Sequence, residues 1–596
     1  MSSIIPRGVG KRNMIHPHQV AVSGIAWQRG LLGRAFACGS FAALLLATTP
    51  TRNTSKALNV SCHLIHASRI HGQMYLPDSM HSCLNVDEIV RLVAHELAAP
   101  GGNAYLVALA CCCKSFEDPA LDALWAKQKR LLPLLQSFPG DVWNEGGCTV
   151  SVPTAYLFSF LFLNDFVQKS FKRLPTTTEW GRFRKYARRI RKLNESGIFP
   201  ALSSEVFSVL QSHTIDDPFL PNLNALSLSN IVGSFIPFIS LFLSPRITSI
   251  RLTFAGSNYS KATIAAMVAS LPTLNLRAII IHLLPRNPMI TAAVSQMLLA
   301  TNRNILQQFH VDSPLTKEAS DMIYRLPNLR NLSVIIEGES SLPSASLPNL
   351  TNLTIEYDNE GGLPQLFHGA TFGKLESVTF FHRSKQIGNF LQAFERAALS
   401  SSVQNMLSKF CLSTSCSWNP NYSSLLPFTQ LEHLAIEFSC DGGCSSRVDD
   451  DIVISLSRTM PKLQALKLGD EPCGEPMTGV TVKGLVALAL HCPDLQHLCI
   501  HFQVASLSAL PTSPEIIRNA VLTGSWTDCP LSRLVVGKIA VPEESVLTVA
   551  LNLLHIFPRI ENFVSLDEGW GKVKDAIRVS RQIVYGSGEH DPFTKP

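Results

Sequence analysis

The chain has 596 residues, 46% of them hydrophobic and only 16% charged, so it is too long for one ordinary core and too apolar for wholesale disorder. Its formal net charge of +6 is concentrated at one end, since residues 1–77 carry eight Lys or Arg and no acid. With those eight set aside, 43 basic residues face 45 acidic ones, and a body so balanced lacks the footprint of a nucleic-acid-binding protein.

Residues 1–79 form a basic head that is expected to be disordered, or an extension that precedes a natural start at Met80. Within it the apolar run from Ala35 to Ala47 carries Gly39 and Ser40 and is too short to span a bilayer. An acid-free, Arg-bearing head also suits mitochondrial targeting, which is the alternative. No stretch of about 20 apolar residues occurs elsewhere, so no membrane partner is expected. The 15 cysteines are scattered, which fits a reducing compartment, cytoplasm or nucleus, better than a disulfide framework.

Residues 80–126 read as three short helices. Leu84, Ile89, Leu92, Val93 and Leu97 follow helical spacing, with Asp87 and Glu88 where acids favour the helix dipole. Pro100-Gly-Gly102 breaks that helix; Leu106, Leu109, Ala110, Cys113 and Phe116 form a second apolar face, and Leu121, Leu124 and Trp125 a third. So few residues bury little surface alone, so a partner is expected to cover the remaining stripe. A helical linker is predicted over 127–200. Its segment Lys169 to Lys192 holds ten Lys or Arg and one acid, Glu179, and a helix from Trp180 places Phe183, Ala187 and Ile190 on one face with the arginines in water.

From about residue 201 to 570 one pattern recurs: an apolar residue, two variable ones, an apolar residue, one variable, another apolar residue. Examples are Leu223-Asn-Ala-Leu226-Ser-Leu228, Leu329-Arg-Asn-Leu332-Ser-Val334, Leu431-Glu-His-Leu434-Ala-Ile436 and Leu495-Gln-His-Leu498-Cys-Ile500, with Ile190-Arg-Lys-Leu193 opening the series. The last two apolar positions lie two apart and share one side of a short strand. Helical stretches intervene, such as Ala262 to Leu271, Asp449 to Met460, Val482 to His491 and Ser545 to Ile556. Pro327, Pro348, Pro461, Pro493 and Pro558 stop the helices before the strands. Repeats spaced roughly 21 to 36 residues apart cannot bury their apolar faces singly and must stack. The predicted class is therefore α/β: an N-terminal three-helix unit followed by an irregular leucine-rich-repeat solenoid, parallel strands on one face and helices on the other. The asparagine ladder of the most regular repeats is missing. The sequons at Asn331 and Asn352 fall inside predicted strands and read as chance matches. A C-terminal helix and tail are expected over 571–596.

The outward positions predicted to recognise a protein target are Arg330, Ser333, Thr351, Thr354, Glu376, Thr379, Glu432, Ala435, Gln464, Lys467, Gln496 and Cys499. Leu84-Asn-Val-Asp-Glu-Ile89, Leu106 to Phe116 and Pro119-Ala-Leu-Asp-Ala-Leu-Trp125, followed by such repeats, resemble F-box proteins with irregular leucine-rich repeats, similar to those of mushroom-forming fungi. Met460 to Asp470, Gly479 to Gly484 and His491 to Leu495 share that resemblance, which covers about residues 80 to 580. The usual Leu-Pro opening is here Leu84-Asn85.

The resemblance implies a substrate-recognition subunit of an SCF-type cullin–RING ubiquitin ligase. Its F-box would dock on a Skp-type adaptor through Leu84, Ile89, Val93, Leu106, Leu109, Cys112, Phe116, Leu124 and Trp125, as adaptor-facing or core residues, and its repeats would hold an unknown protein. The alternative is a repeat scaffold unrelated to ubiquitin. No enzyme is expected: there is no phosphate loop, His-Glu-x-x-His or nucleophile elbow. Cys111-Cys-Cys113 has no His nearby in sequence. Cys440-Asp-Gly-Gly-Cys444 with Cys411 and Cys416 does not give paired zinc spacing, so neither metal nor cofactor is expected.

Overall fold

The computed structural model describes residues 87–585 except 100–101, 113, 145–169, 197–201, 214–217, 255–259, 272–273, 283–286, 337–345, 358–370, 383–389, 401–402, 416–419, 440–447, 470–478, 509–528, 537–539 and 566–567. The head and Leu84 lie outside the described residues. So does the 440–444 cysteine pair.

Among the described residues, fifteen strands form one sheet, from Lys127–Gln128 to Asn562–Val564, each paired in parallel with the next sheet strand along the chain. The register aligns the fourth position of every predicted motif. Leu193 pairs with Leu226, then Ile250, Ile279, Phe309 and Leu332 follow in turn. Leu353, Val378, Phe410, Leu434, Leu466, Leu498 and Leu534 continue the row. None of these side chains is more than 5% exposed. A one-residue slip would turn any of these strands inside out, so this shared register fixes the repeat.

The first motif position turns in from the preceding loop. Leu223, Leu329, Leu350, Leu375, Leu431 and Leu463 are all fully buried. The residue after it serves with its backbone: the carbonyl of Arg330 accepts from the N–H groups of Thr351 and Asn352, and that of Glu432 from those of Gln464 and Ala465. The recurring Pro-Asn-Leu turns add a side-chain ladder. Asn222 Nδ2 donates to the Arg188 carbonyl, Asn328 Nδ2 to Asn304 and Asn349 Nδ2 to Pro327, at 2.6, 2.7 and 2.9 Å. Asparagine thus does satisfy neighbouring repeats, but from the turn before the strand.

Several crossovers are helices with a side-chain cap. Asp449 accepts from the Ile452 N–H, Thr481 from Lys483, and Asn287 from Met289, ahead of helices Asp450–Thr459, Val482–His491 and Pro288–Ala300. Helix Val546–Ile556 also lies where apolar spacing predicts one. Other crossovers include a 3-10 stretch (Gly233–Phe242, which contains Pro237) and a two-residue strand, Ser346–Leu347, paired with Thr371–Phe372. Those substitutions make the solenoid irregular.

The sheet begins inside the segment expected to be a helical linker. Lys127–Gln128 pairs with Lys192–Ser196, and Leu131, Leu134, Phe138, Trp143, Trp180 and Phe183 join the continuous core. Helix Thr177–Ala187, closed by a Thr176–Glu179 capping box, buries Trp180, Phe183 and Ala187. Glu195 stands opposite Leu228 at an inward position and is 3% exposed. It accepts the Leu131 N–H, and burial pushes its carboxyl above the usual range. Ile190-Arg-Lys-Leu193 does open the series, with a carboxylate where the later repeats carry an apolar residue.

Candidate docking surfaces

Helices α1 (Asp87–Leu97), α2 (Asn103–Cys112) and α3 (Lys114–Ala126) precede the sheet. Gly102 allows the tight corner between the first two, because a Cβ there would sit 1.7 Å from the Leu97 carbonyl oxygen. The three enclose a separate small core of Ala94, Leu106, Leu109 and Ala120, with Leu97, Phe116, Ala123 and Leu124 packed against it. Two of the four buried members are alanines, so little apolar area is removed from water.

The predicted hook residues therefore divide. Leu106, Leu109, Phe116 and Leu124 build this core, whereas Ile89 and Val93 stay 39% and 43% exposed. Cys112 is exposed and its thiol donates to the Ala108 carbonyl. Trp125 turns the other way and packs on Tyr186 with ring centroids 4.9 Å apart. Two further exposed apolar residues, Leu92 at 65% and Val107 at 43%, complete the uncovered set. Leu92 belonged to the helical spacing; Val107 carried no separate signal, since α2 is apolar almost all round.

The hook is spliced to the solenoid. The Ala126 carbonyl accepts from the Arg191 N–H at 3.0 Å where α3 runs into the first strand. Arg189, with only 11% of its side chain exposed, ion-pairs with Asp118 and Asp122 of α3, and Lys185 reaches Glu117 at 3.5 Å. Arg91 of α1 bridges Asp87 and Asp122 at 2.6 and 3.2 Å. The basic stretch is thus not wholly given to water: its arginines hold the hook's third helix.

The strands' outward residues line up in columns. One runs His310, Ser333, Thr354, Thr379, Cys411, Ala435, Lys467 and Cys499 along the register. Beside it run Asn331, Asn352, Ser377, Lys409, His433, Ala465 and His497. Of the predicted recognition residues, Ser333, Thr354, Thr379, Ala435, Lys467 and Cys499 lie in the first column. Arg330, Thr351, Glu376, Glu432, Gln464 and Gln496 lie one residue before the strands, on the turn that bears the backbone ladder. Asn352 donates to the Asn331 amide oxygen at 2.7 Å, linking two repeats across the second column.

A third column holds Glu356, Phe381, Ser413 and Glu437, and Lys467 Nζ meets Glu437 Oε1 at 3.0 Å. Phe381 is 42% exposed there, and aromatic side chains are enriched at protein interfaces. The signal for it was an aromatic residue just beyond the inward Phe380. Cys411 lies in the same surface, and burial pushes its thiol up to about 11, which keeps it out of the nucleophilic thiolate form.

No protein-family model matches the chain, and no curated protein matches it. Among solved structures, a chain from the crystal structure of the Rad7 and Elc1 complex in yeast aligns with a TM-score of 0.37 at 15% identity, over 76% of this chain and 99% of its own length. Among the described residues, no helix is long and apolar enough to cross a membrane.

Proposed function

We propose that this chain selects protein targets for an SCF-type cullin–RING ubiquitin ligase, with the hook docked on a Skp-type adaptor and the front of the sheet holding the target. The observation that carries the reading is the exposure of Ile89, Leu92, Val93 and Val107 above a four-residue core. Apolar side chains left in water on a marginal unit are stabilised when a partner covers them. Two of them, Ile89 and Val93, are among the residues that the F-box resemblance implies to be adaptor-facing or core.

The mechanism is positioning. Arg189 and the splice at Ala126 tie the hook to the first repeats. A target held on the sheet is thereby kept beside the ubiquitin donor at raised effective concentration. Transfer chemistry belongs to other subunits, and cytoplasm or nucleus is the compartment this role implies.

The test is co-elution of the full chain with a purified Skp-type adaptor. Wild type is expected to form a complex at micromolar concentration, and an Ile89→Asp/Val93→Asp variant with unchanged circular dichroism is expected to elute alone. Failure of the wild type to bind removes the ligase role and leaves a repeat scaffold.

A further inference from the structure

We propose that His282, His310 and Asp312 bind a zinc ion on the front of the sheet, with one coordination position left open. The three residues come from adjacent strands, Ala278–His282 and Gln308–Pro314, of two different repeats. The register pairs Ile280 with His310 and Ile281 with Val311, so His282 falls opposite Asp312. His310 and Asp312 alternate with the inward Phe309, Val311 and Ser313, which sets both on the outward side.

The donor atoms converge. One ligand atom from each residue lies within 4.8 Å of the other two. His282 Nδ1 is 3.6 Å from one Asp312 oxygen and His310 Nε2 is 2.9 Å from the other, while the two imidazole rings lie 4.2 Å apart between centroids. Ligands about 2.0–2.1 Å from a tetrahedral ion sit roughly 3.3 Å from one another, so the two histidine–carboxylate separations bracket that spacing and the cluster as a whole would contract on binding.

A simple histidine–aspartate hydrogen bond fits less well. His310 Nε2 is shielded from solvent, yet it has no aligned hydrogen-bond partner although the carboxylate oxygen is at hydrogen-bond distance. That nitrogen is therefore left able to serve a shared ion instead. An ion there would satisfy the buried nitrogen, and its charge would offset the carboxylate. Two imidazoles and one carboxylate with a single open position suit zinc, whereas ferrous iron uses such a triad with several open positions and calcium and magnesium favour sets built wholly of oxygen.

Three protein ligands are one fewer than a closed structural site uses. The fourth position would hold water, on the same side of the sheet as Ser333 and Thr354. The spacing of ligands in the sequence conceals the site: 28 residues separate His282 from His310, and only the stacking of repeats brings them together.

The site is independent of adaptor binding, and its test is separate. The full chain, stripped of metal by chelation, is reloaded with zinc and dialysed, and bound zinc is counted in wild type, His310→Ala and Asp312→Asn. Because the chain has 15 Cys and 18 His, the difference between proteins decides, not the absolute count. Wild type is expected to keep one equivalent more than either variant, and its cobalt-substituted form to show tetrahedral absorption, without thiolate charge transfer, that both variants lose. Asp312→Asn conserves shape and keeps the test valid if His310→Ala fails to fold. Equal zinc content and identical cobalt spectra in wild type and a folded variant would overturn the site.

Discussion

The hook and the repeats draw on the same apolar residues with opposite results. In the sheet, Leu434, Leu466 and Leu498 each face a neighbour above and below, and none is more than 1% exposed. In the hook, Leu92 is 65% exposed although its helical spacing is as regular. Stacking accounts for the difference, because each repeat covers the next and the buried seam lengthens with every unit added. The outer stripe of α1 and α2 has no such neighbour among the described residues. That stripe stays exposed, and a residue type that is buried in one region is left open in the other.

The largest effect expected from this contrast is on stability. Leu434→Ala should lower the unfolding free energy by about 2–5 kcal/mol, the range for removing a fully buried leucine. Leu92→Ala should change it by no more than about 0.5 kcal/mol, as for an ordinary surface position. Urea midpoints of the two variants compare the regions directly. A large loss from Leu92→Ala would mean that the hook's outer stripe is already covered within the chain.

Binding inverts that ranking. Leu92→Asp should weaken adaptor association at least tenfold, equivalent to about 1.4 kcal/mol, whereas Phe381→Ala on the sheet should leave it unaltered and weaken target capture instead. Calorimetric titration with adaptor alone separates the two surfaces. A matching loss of adaptor affinity in both variants would refute the division of labour.

Legibility in the sequence followed the same boundary. The seam could be read because Leu, Ile and Phe recur at fixed offsets, and the register from Leu193 to Leu534 is that pattern realised in three dimensions. Helices with their own caps, such as Asp450–Thr459 after Asp449, were equally plain. The hook's three helices were visible, but which of their apolar residues face outward depends on packing angles that periodicity does not encode. Hidden altogether were features made by juxtaposition. The pairing of Lys127–Gln128 with Lys192–Ser196 spans 65 residues, and Phe381 becomes an outward contact only beside Glu356 and Ser413.

The joint between the regions offers a smaller effect. Arg189→Ala should cost about 1 kcal/mol, since Asp118 and Asp122 partly reach water and recover hydration when unpaired. The side-chain hydrogen bond from Arg189 holds the Asp118 carboxyl below its usual range. A depressed carboxyl contributes stability above its unfolded value and loses it as pH falls through the folded one. The difference between variant and wild type should therefore shrink in acid. Trypsin should also cut faster after Lys127, Lys129 or Arg130 in the variant, because the hook is less firmly held to the first repeats. A cleavage rate unchanged at neutral pH would show that the splice at Ala126 suffices without the arginine.

The smallest effect lies where the seam itself departs from apolar residues. Burial raises the Glu195 carboxyl above its unfolded value, so the folded chain retains a proton that the unfolded chain has released. Stability from this group is then fully present below the ordinary glutamate range, near 4.5, and declines as pH rises through the raised folded value. Glu195→Gln keeps an oxygen for the Leu131 N–H and cannot ionise, so the change at neutral pH should be a gain of less than about 1 kcal/mol. The diagnostic quantity is the slope. Thermal melts of wild type and variant should run parallel at low pH and diverge as the wild-type carboxyl ionises, with the variant above. Parallel curves across the whole range would mean that water reaches Glu195, and that the first repeat is covered less completely than those in the middle of the sheet.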